Sequence, residues 1–216
     1  MFTGIIEEIG EILGSRVKGQ GSRVEVKTSL IPKIKTGDSV AVDGVCLTVT
    51  KLSSESFYAD VSSETLKKTK LSSAKAKDKV NLELAMTPEG RFGGHLVNGH
   101  VDGVGRVKRI PRISRTSGDI EVALVRELMN YVVKKGSIAI DGISLTVVDV
   151  LKDGFTVSVI PETLKRTTLG LRKVGDKVNI EVDMLMKGRE TRDEGRRTKD
   201  EGIVSEDLLK KSGFMK

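Results

Sequence analysis

A single cysteine, no tryptophan and seven aromatic side chains (five Phe, two Tyr) are what the chain has least of. Cys46 alone cannot close an internal disulfide, which suits a reducing, cytoplasmic setting. So few aromatics leave no set of stacking platforms for single-stranded nucleic acid. The net charge of +7, from 37 basic and 30 acidic residues, therefore reads as a solvated surface with local attraction for anions rather than as a nucleic-acid interface. No stretch reaches the length of about eighteen apolar residues needed to cross a bilayer, and the opening MFTGIIEEIG lacks the basic region and apolar run of an export signal. An unexported chain that does not enter a membrane is expected. The only two histidines, His95 and His100, could join Cys46 in a metal site by residue type. Their odd spacing sets them on opposite faces of any continuous strand and no close-spaced Cys or His pair accompanies them, so no metal is expected.

Against these absences stands a repeated phrase, VAVDGVCLTV from Val40 to Val49 and IAIDGISLTV from Ile138 to Val147. Asp-Gly between alternating apolar runs predicts a two-residue hairpin turn with positive φ at both central residues. With tips at Asp43-Gly44 and Asp141-Gly142, the pairs run outward as Val42 with Val45, Ala41 with Cys46, Val40 with Leu47 and Ser39 with Thr48. One face is then aliphatic and wants a core: Val40, Val42, Val45, Leu47 and Val49 in the first copy, Ile138, Ile140, Ile143, Leu145 and Val147 in the second. The other carries Ser39, Ala41, Cys46 and Thr48 against Ser137, Ala139, Ser144 and Thr146. That small, hydroxyl-tipped face suits a flat polar ring lying against the sheet.

The repeat continues in order. SSETLKKT (Ser62 to Thr69) matches IPETLKRT (Ile160 to Thr167), and DKVNLE (Asp78 to Glu83) matches DKVNIE (Asp176 to Glu181). Near the amino terminus, Gly4-Ile5-Ile6 corresponds to Gly99-His100-Val101. Two tandem domains follow, each of several short alternating strands punctuated by glycine and one short helix, at Glu64 to Lys68 and Glu162 to Arg166. The expected fold is all-β, two similar small closed barrels in tandem.

Between the copies lies GGHLVNGHVDGVG, Gly93 to Gly105. Its glycines imply tight turns and close backbone approach, with Asn98-Gly99 a turn. His95, before an aliphatic pair, reads as structural. His100 opens the second copy.

MFTGII, DGVCLTVT, GGHLVNGHVDG, KGSIAIDGISLTVV and IPETLKRTTLG together resemble the riboflavin synthase family of the trimeric bacterial, fungal and plant type, over roughly residues 1 to 186. The resemblance implies a dismutation: two molecules of 6,7-dimethyl-8-ribityllumazine give riboflavin and 5-amino-6-ribitylamino-uracil by transfer of four carbons, the last step of riboflavin formation. It implies no metal or redox cofactor, since the lumazine C7 methyl is acidic enough for a modest base. It also implies a homotrimer with each active site between the first barrel of one subunit and the second barrel of a neighbour. The same duplicated barrel serves non-catalytic lumazine- or flavin-binding antenna proteins, and intact motifs in both copies favour the enzyme.

Carried over position by position, the resemblance assigns a first substrate pocket to Gly4, Ile5, Ile6, Ser39, Val45, Cys46, Leu47 and Thr48, with Asp60, Val61, Ser62, Ser63, Glu64 and Thr65. Asn98, Gly99 and His100 form an edge joining it to the second. The second pocket takes Lys135, Ile143, Ser144, Leu145 and Thr146, with Ser158, Val159, Ile160, Pro161, Glu162 and Thr163. His100 is the favoured base or proton shuttle, Ser144 and Cys46 are candidate relays, and Asp141, Ser39 and Asp183 weaker candidates. Phe2 and Thr3 would close the pocket. The expected boundaries are 1–97, 98–186 and a tail at 187–216. In the tail, the charged run Gly188 to Gly202 reads as a linker, and Val204, Leu208 and Leu209 sit on a short amphipathic helix for self-association.

Overall fold

The computed structural model describes residues 1–18, 21–110 and 118–188. The expected linker and helix beyond residue 188 lie outside them, and a separate unit begins at Met184. The first copy holds β1 (Glu8–Lys18), β2 (Gly21–Lys27), β3 (Ser39–Val42), β4 (Val45–Leu52), β5 (Ser56–Val61), the helix α1 (Ser63–Lys68) and β6 (Lys79–Leu84). The second holds β7 (Gly103–Arg109), β8 (Gly118–Ala123), α2 (Arg126–Met129), β9 (Ser137–Ile140), β10 (Ile143–Leu151), β11 (Gly154–Val159), α3 (Pro161–Arg166) and β12 (Lys177–Val182). Both copies close in one cyclic order, β1-β2-β5-β4-β3-β6 and its counterpart β7-β8-β11-β10-β9-β12. All neighbours are antiparallel.

The hairpins take the register that Asp-Gly predicts, with Val42 opposite Val45 and Ser39 opposite Thr48, and Ile140 opposite Ile143. Their tips have φ of 45° and 77° at Asp43 and Gly44, 47° and 79° at Asp141 and Gly142, the doubly positive turn that matches strand twist. The ladders shift near Leu13 and Thr50, and at the corresponding Lys108 and Val148. Such irregularities bend a short strand enough to close a six-stranded barrel. Helix α1 starts where Ser62 Oγ accepts the Thr65 N–H (3.0 Å); α3 starts instead with Pro161, whose fixed φ suits a first turn.

Each aliphatic face fills its barrel. The small faces behave differently from expectation at their centre. Ala41 and Ala139 are buried against each other's surroundings with Phe2 and Val97, so the inner part of this face is the contact between barrels rather than a floor for a flat ring. The hairpin tips meet there: a Cβ on Gly44 would lie 2.7 Å from the Gly142 nitrogen. Asn81 and Asn179, one in each DKVN repeat, cross this contact, each donating its side-chain amide to the partner tip's carbonyl at 2.9 Å (Asp141 and Asp43).

Candidate functional site

Two straps, residues 1–6 and 94–101, cover the outer parts of the hairpin faces. They pair antiparallel through Phe2 and Val97, whose N–H groups donate to each other's carbonyls at 2.7 and 3.1 Å. From there each strap crosses to the other copy. Ile6 sits in the core of the second barrel and Val101 in that of the first. Burying such a side chain is worth about 1.5–3 kcal/mol, so the exchange is anchored at both ends.

The crossing decides which residues share a site. Gly4 lies on Ser144, accepting its N–H at 2.8 Å, and a Cβ on Gly4 would fall 2.6 Å from that of Ser144. Gly99 lies on Cys46 in the same way, accepting its N–H at 2.9 Å, with a Cβ clash at 2.5 Å. Both glycines have φ near +79°, which together with the close approach excludes larger residues. Gly4, Ile5 and Ile6 thus belong with the second hairpin and not with the first, and Asn98, Gly99 and His100 belong with the first rather than bridging the two. The reason is physical: the strap's aliphatic anchor fits the neighbouring barrel's core.

Around Ser144 the second site forms a cleft of about 160 Å³ lined by Gly4, Ile5, Ile6, Ile143, Ser144, Glu162, Thr163, Arg166 and Thr167. Ile5 in this cleft is 49% exposed, and Ile160, just before α3, is 55% exposed. The hydroxyl of Ser144 is 2.7 Å from Nδ1 of His95, a residue 8% exposed whose pKa burial lowers, against a smaller opposing pull from Asp183. A neutral imidazole there can take or give the Ser144 proton according to its tautomer. His95 is therefore more than a packing residue. The sequence signal was the Gly93-Gly94 pair before it: Gly94 packs so closely on the Thr3 carbonyl and on Ser144 that no side chain fits.

The other expected site residues differ in exposure and place. Thr48, Thr146, Asp60, Ser62, Ser63, Glu64, Pro161, Glu162 and His100 are exposed, and Thr65, Thr163 and Ser158 partly so. Val45, Leu47, Val61, Ile143, Leu145 and Val159 belong to the barrel cores, so only their backbones could reach a ligand. Ser39 lines a neighbouring cleft of about 680 Å³ with Thr3, Ile5, Glu83 and Arg91. Lys135, exposed and held at a φ of 66° where the first copy has Gly37, does not line the Ser144 cleft. A non-glycine residue in that region is a local strain of the kind found at functional positions.

Asp141 is corrected outright. It is fully buried at the contact between barrels, where Oδ1 accepts the Asn179 N–H (2.8 Å) and Oδ2 meets Lys70 Nζ (2.7 Å) and Arg172 Nη2 (2.8 Å). Asp43 is its counterpart, with Oδ1 on the Asn81 N–H (2.8 Å) and Oδ2 2.9 Å from Lys70 Nζ but 3.8 Å from Arg172. That last oxygen has ionic partners but no hydrogen-bond geometry. Such a carboxylate joins the barrels and is not placed to move a substrate proton. Among the described residues no three His, Cys, Asp or Glu side chains converge as a metal would require.

The sequence profile of the lumazine binding domain matches residues 3–85 and again 98–183. The riboflavin synthase of Actinobacillus pleuropneumoniae is 45% identical over 99% of this chain and all of its own length, and that of Photobacterium phosphoreum is 43% identical over the whole of both. That of Bacillus subtilis is 43% identical over 87% of each chain. Among solved structures, LumP in complex with 6,7-dimethyl-8-(1'-D-ribityl) lumazine superposes with a TM-score of 0.77 over 84% of this chain and 99% of its own, at 22% identity, a likeness of fold. With two matched domains and full-length relatives at this identity, the chain belongs to the riboflavin synthase family.

Proposed function

We propose that the protein converts two molecules of 6,7-dimethyl-8-ribityllumazine into riboflavin and 5-amino-6-ribitylamino-uracil. The carrying observation is a pair of sites built by one crossed plan yet chemically unequal. Gly99 with His100 lies on Cys46 in one, and Gly4 with Ile5 lies on Ser144, backed by His95, in the other. A reaction that uses two copies of one substrate as donor and acceptor requires this combination of likeness and difference. A simple binding module needs only one of them.

In this reading Ser144 and His95 handle the proton of the C7 methyl in one pocket, while Cys46 and His100 face the other lumazine. Placement does most of the remaining work, since orienting two reactants can supply roughly 7–11 kcal/mol of a barrier. The first pocket comprises Cys46, Thr48, Asp60 to Thr65 and Asn98 to His100; the second comprises Gly4 to Ile6, Ser144, Thr146 and Ser158 to Thr163, with Lys135 supplied from elsewhere in the assembly. Residues 1–97 and 98–186 are the two lumazine-binding domains, and 187–216 a self-association tail.

A homotrimer in the cytoplasm is the working form. Its support is the Ser144 cleft, whose 160 Å³ is below the usual ~300–1,000 Å³ of a small-molecule site and whose rim leaves Ile5 uncovered, as a half-site awaiting another subunit would. Incubating the pure protein with the lumazine alone tests the function. One flavin should appear for every two lumazines consumed, without added cofactor; lumazine bound but unchanged would assign an antenna role instead.

A further inference from the structure

The most regular unassigned feature outside the two sites is a pair of buried glutamates, Glu83 at the end of β6 and Glu181 at the end of β12, each 5% exposed. They close the repeated DKVN(L/I)E segments and stand opposite Ala41 and Ala139 in the two ladders. Glu83 Oε1 accepts the Thr3 N–H (2.7 Å) and hydroxyl (2.9 Å), and Oε2 accepts the Gly4 N–H (3.0 Å). Glu181 repeats the arrangement, Oε1 on the Asn98 N–H (2.7 Å) and Oε2 on the Gly99 N–H (3.0 Å).

Apart from the Thr3 hydroxyl, these donors are backbone groups of the straps at the point where they leave their own copy. A buried N–H without an acceptor is costly, and only a carboxylate offers two acceptor oxygens and no donor. Burial raises the Glu83 pKa, and the strap N–H groups act in the opposite direction by bonding the ionised form. The next carbonyls along, Gly4 O and Gly99 O, are those that receive the Ser144 and Cys46 N–H groups.

We infer that Glu83 and Glu181 are crossed positioning residues: Glu83, in the first barrel, sets the strap of the second barrel's site, and Glu181, in the second barrel, sets the strap of the first barrel's site. This rests on the reading of the two strap-covered hairpins as substrate sites. Replacing Glu by Gln turns one acceptor into a donor that faces another donor, so the strap must lift. Each variant then acts on the site of the barrel it does not belong to.

Cys46 reports on one strap directly, because it is the only thiol in the chain and Gly99 lies on it. In the full-length protein, Glu181→Gln should raise the rate of Cys46 with an aromatic disulfide reagent about 10-fold, as expected when a buried contact opens. Glu83→Gln should leave that rate unchanged. In a Cys46→Ser/Ser144→Cys background the roles should reverse, Glu83→Gln accelerating the introduced thiol and Glu181→Gln not. Glu83→Asp and Glu181→Asp, which keep the charge but shorten the reach, should give the same crossed pattern more weakly and stand in if a Gln variant does not fold. Turnover of lumazine should fall about 10- to 100-fold in either Gln variant with near-native thermal stability. Acceleration within the same barrel, equal acceleration of both thiols or no change in either would overturn the inference. Wild-type protein that forms no flavin would sink the enzymatic reading while the thiol pattern still judges the clamps.

Discussion

Replacing Lys70 by Met is the sharpest test of what joins the two barrels. Lys70 Nζ lies 2.9 Å from Asp43 Oδ2 and 2.7 Å from Asp141 Oδ2, while Arg172 is within 3 Å of Asp141 alone. After the change Asp43 Oδ2 keeps only a cation at 3.8 Å and no hydrogen bond. Removing one partner of a buried pair costs about 3–5 kcal/mol because the other charge is left uncompensated. For a domain pair of this size each kcal/mol moves the midpoint by roughly 2–4 °C, so thermal unfolding at pH 7.5 should drop by about 6–20 °C. The pH dependence carries the mechanism. Burial already raises the Asp43 pKa from 3.8 to about 6, against the pull of Lys70, so the folded state holds the Asp43 proton more tightly than the unfolded chain does. Stability from this group is complete below about pH 4 and is lost as pH rises through about 6. Without Lys70 the folded pKa must climb further. The deficit relative to wild type should therefore be large at pH 8 and shrink toward pH 5, where Asp43 is neutral in the variant. A deficit that is constant from pH 5 to 8, or smaller than about 1 kcal/mol, would refute the account of Lys70 as the shared counter-ion.

Other outcomes follow from the site. Gly99→Ala should misplace the strap on Cys46 and lower turnover by about 10- to 100-fold in a lumazine assay, with spectra of a folded protein; wild-type turnover would contradict the close contact. His95→Gln should slow kcat by about 10²–10⁴ and remove an acid limb lying below the ~6.5 of a free imidazole, since burial lowers the His95 pKa and only the neutral ring can accept a proton. If the limb persists in His95→Gln but disappears in His100→Gln, the proton passes through His100. Turnover should survive chelation and dialysis, and loss restored by a divalent metal would reverse the reading of the histidines. Residues 1–97 alone lack Val101 and Gly99, so a folded form should be a concentration-dependent pair that lends its own straps; a stable monomer in sedimentation would contradict the crossing.

The duplicated barrels and both hairpins were legible because their signals are local. Asp-Gly fixes the turn, the turn fixes the register, and period-two alternation then sorts Val40, Leu47 and their counterparts inward. Where the straps go was not legible. Their offset correspondence, Gly4 with Gly99 and Ile6 with Val101, states that they are equivalent but not which barrel they enter, and an aliphatic anchor reads alike for either core. Asp141 is hidden for the same reason: an Asp-Gly tip looks exposed until another tip packs on it, and Lys70 and Arg172 come from positions that do not correspond in the repeat. An imidazole before Leu96 and Val97 reads as packing, so the sequence points to His100 rather than to His95. The paired Asn81 and Asn179 carry the clue, for each alternates with core residues and so faces out of its own barrel, where a buried amide needs a partner from outside.

The placement of identity and difference between the copies suggests how two unequal sites can share one scaffold. Residues that hold the crossing are the same in both: Asp43 and Asp141, Gly44 and Gly142, Asn81 and Asn179, Glu83 and Glu181, Gly4 and Gly99. Residues that face the covered hairpins differ: Cys46 with Ser144, His100 with Ile5, Asn98 with Thr3. Because each strap belongs to one copy and each hairpin to the other, a site's character is set jointly by both halves of the chain. A change in the first copy's strap alters the second site without touching the first barrel's own hairpin. The cations at the contact follow the same logic, since two equivalent carboxylates are served by a lysine and an arginine from non-equivalent positions. The approximate two-fold symmetry therefore holds the barrels together while leaving the two strap-covered hairpins free to differ, as the proposed donor and acceptor roles require.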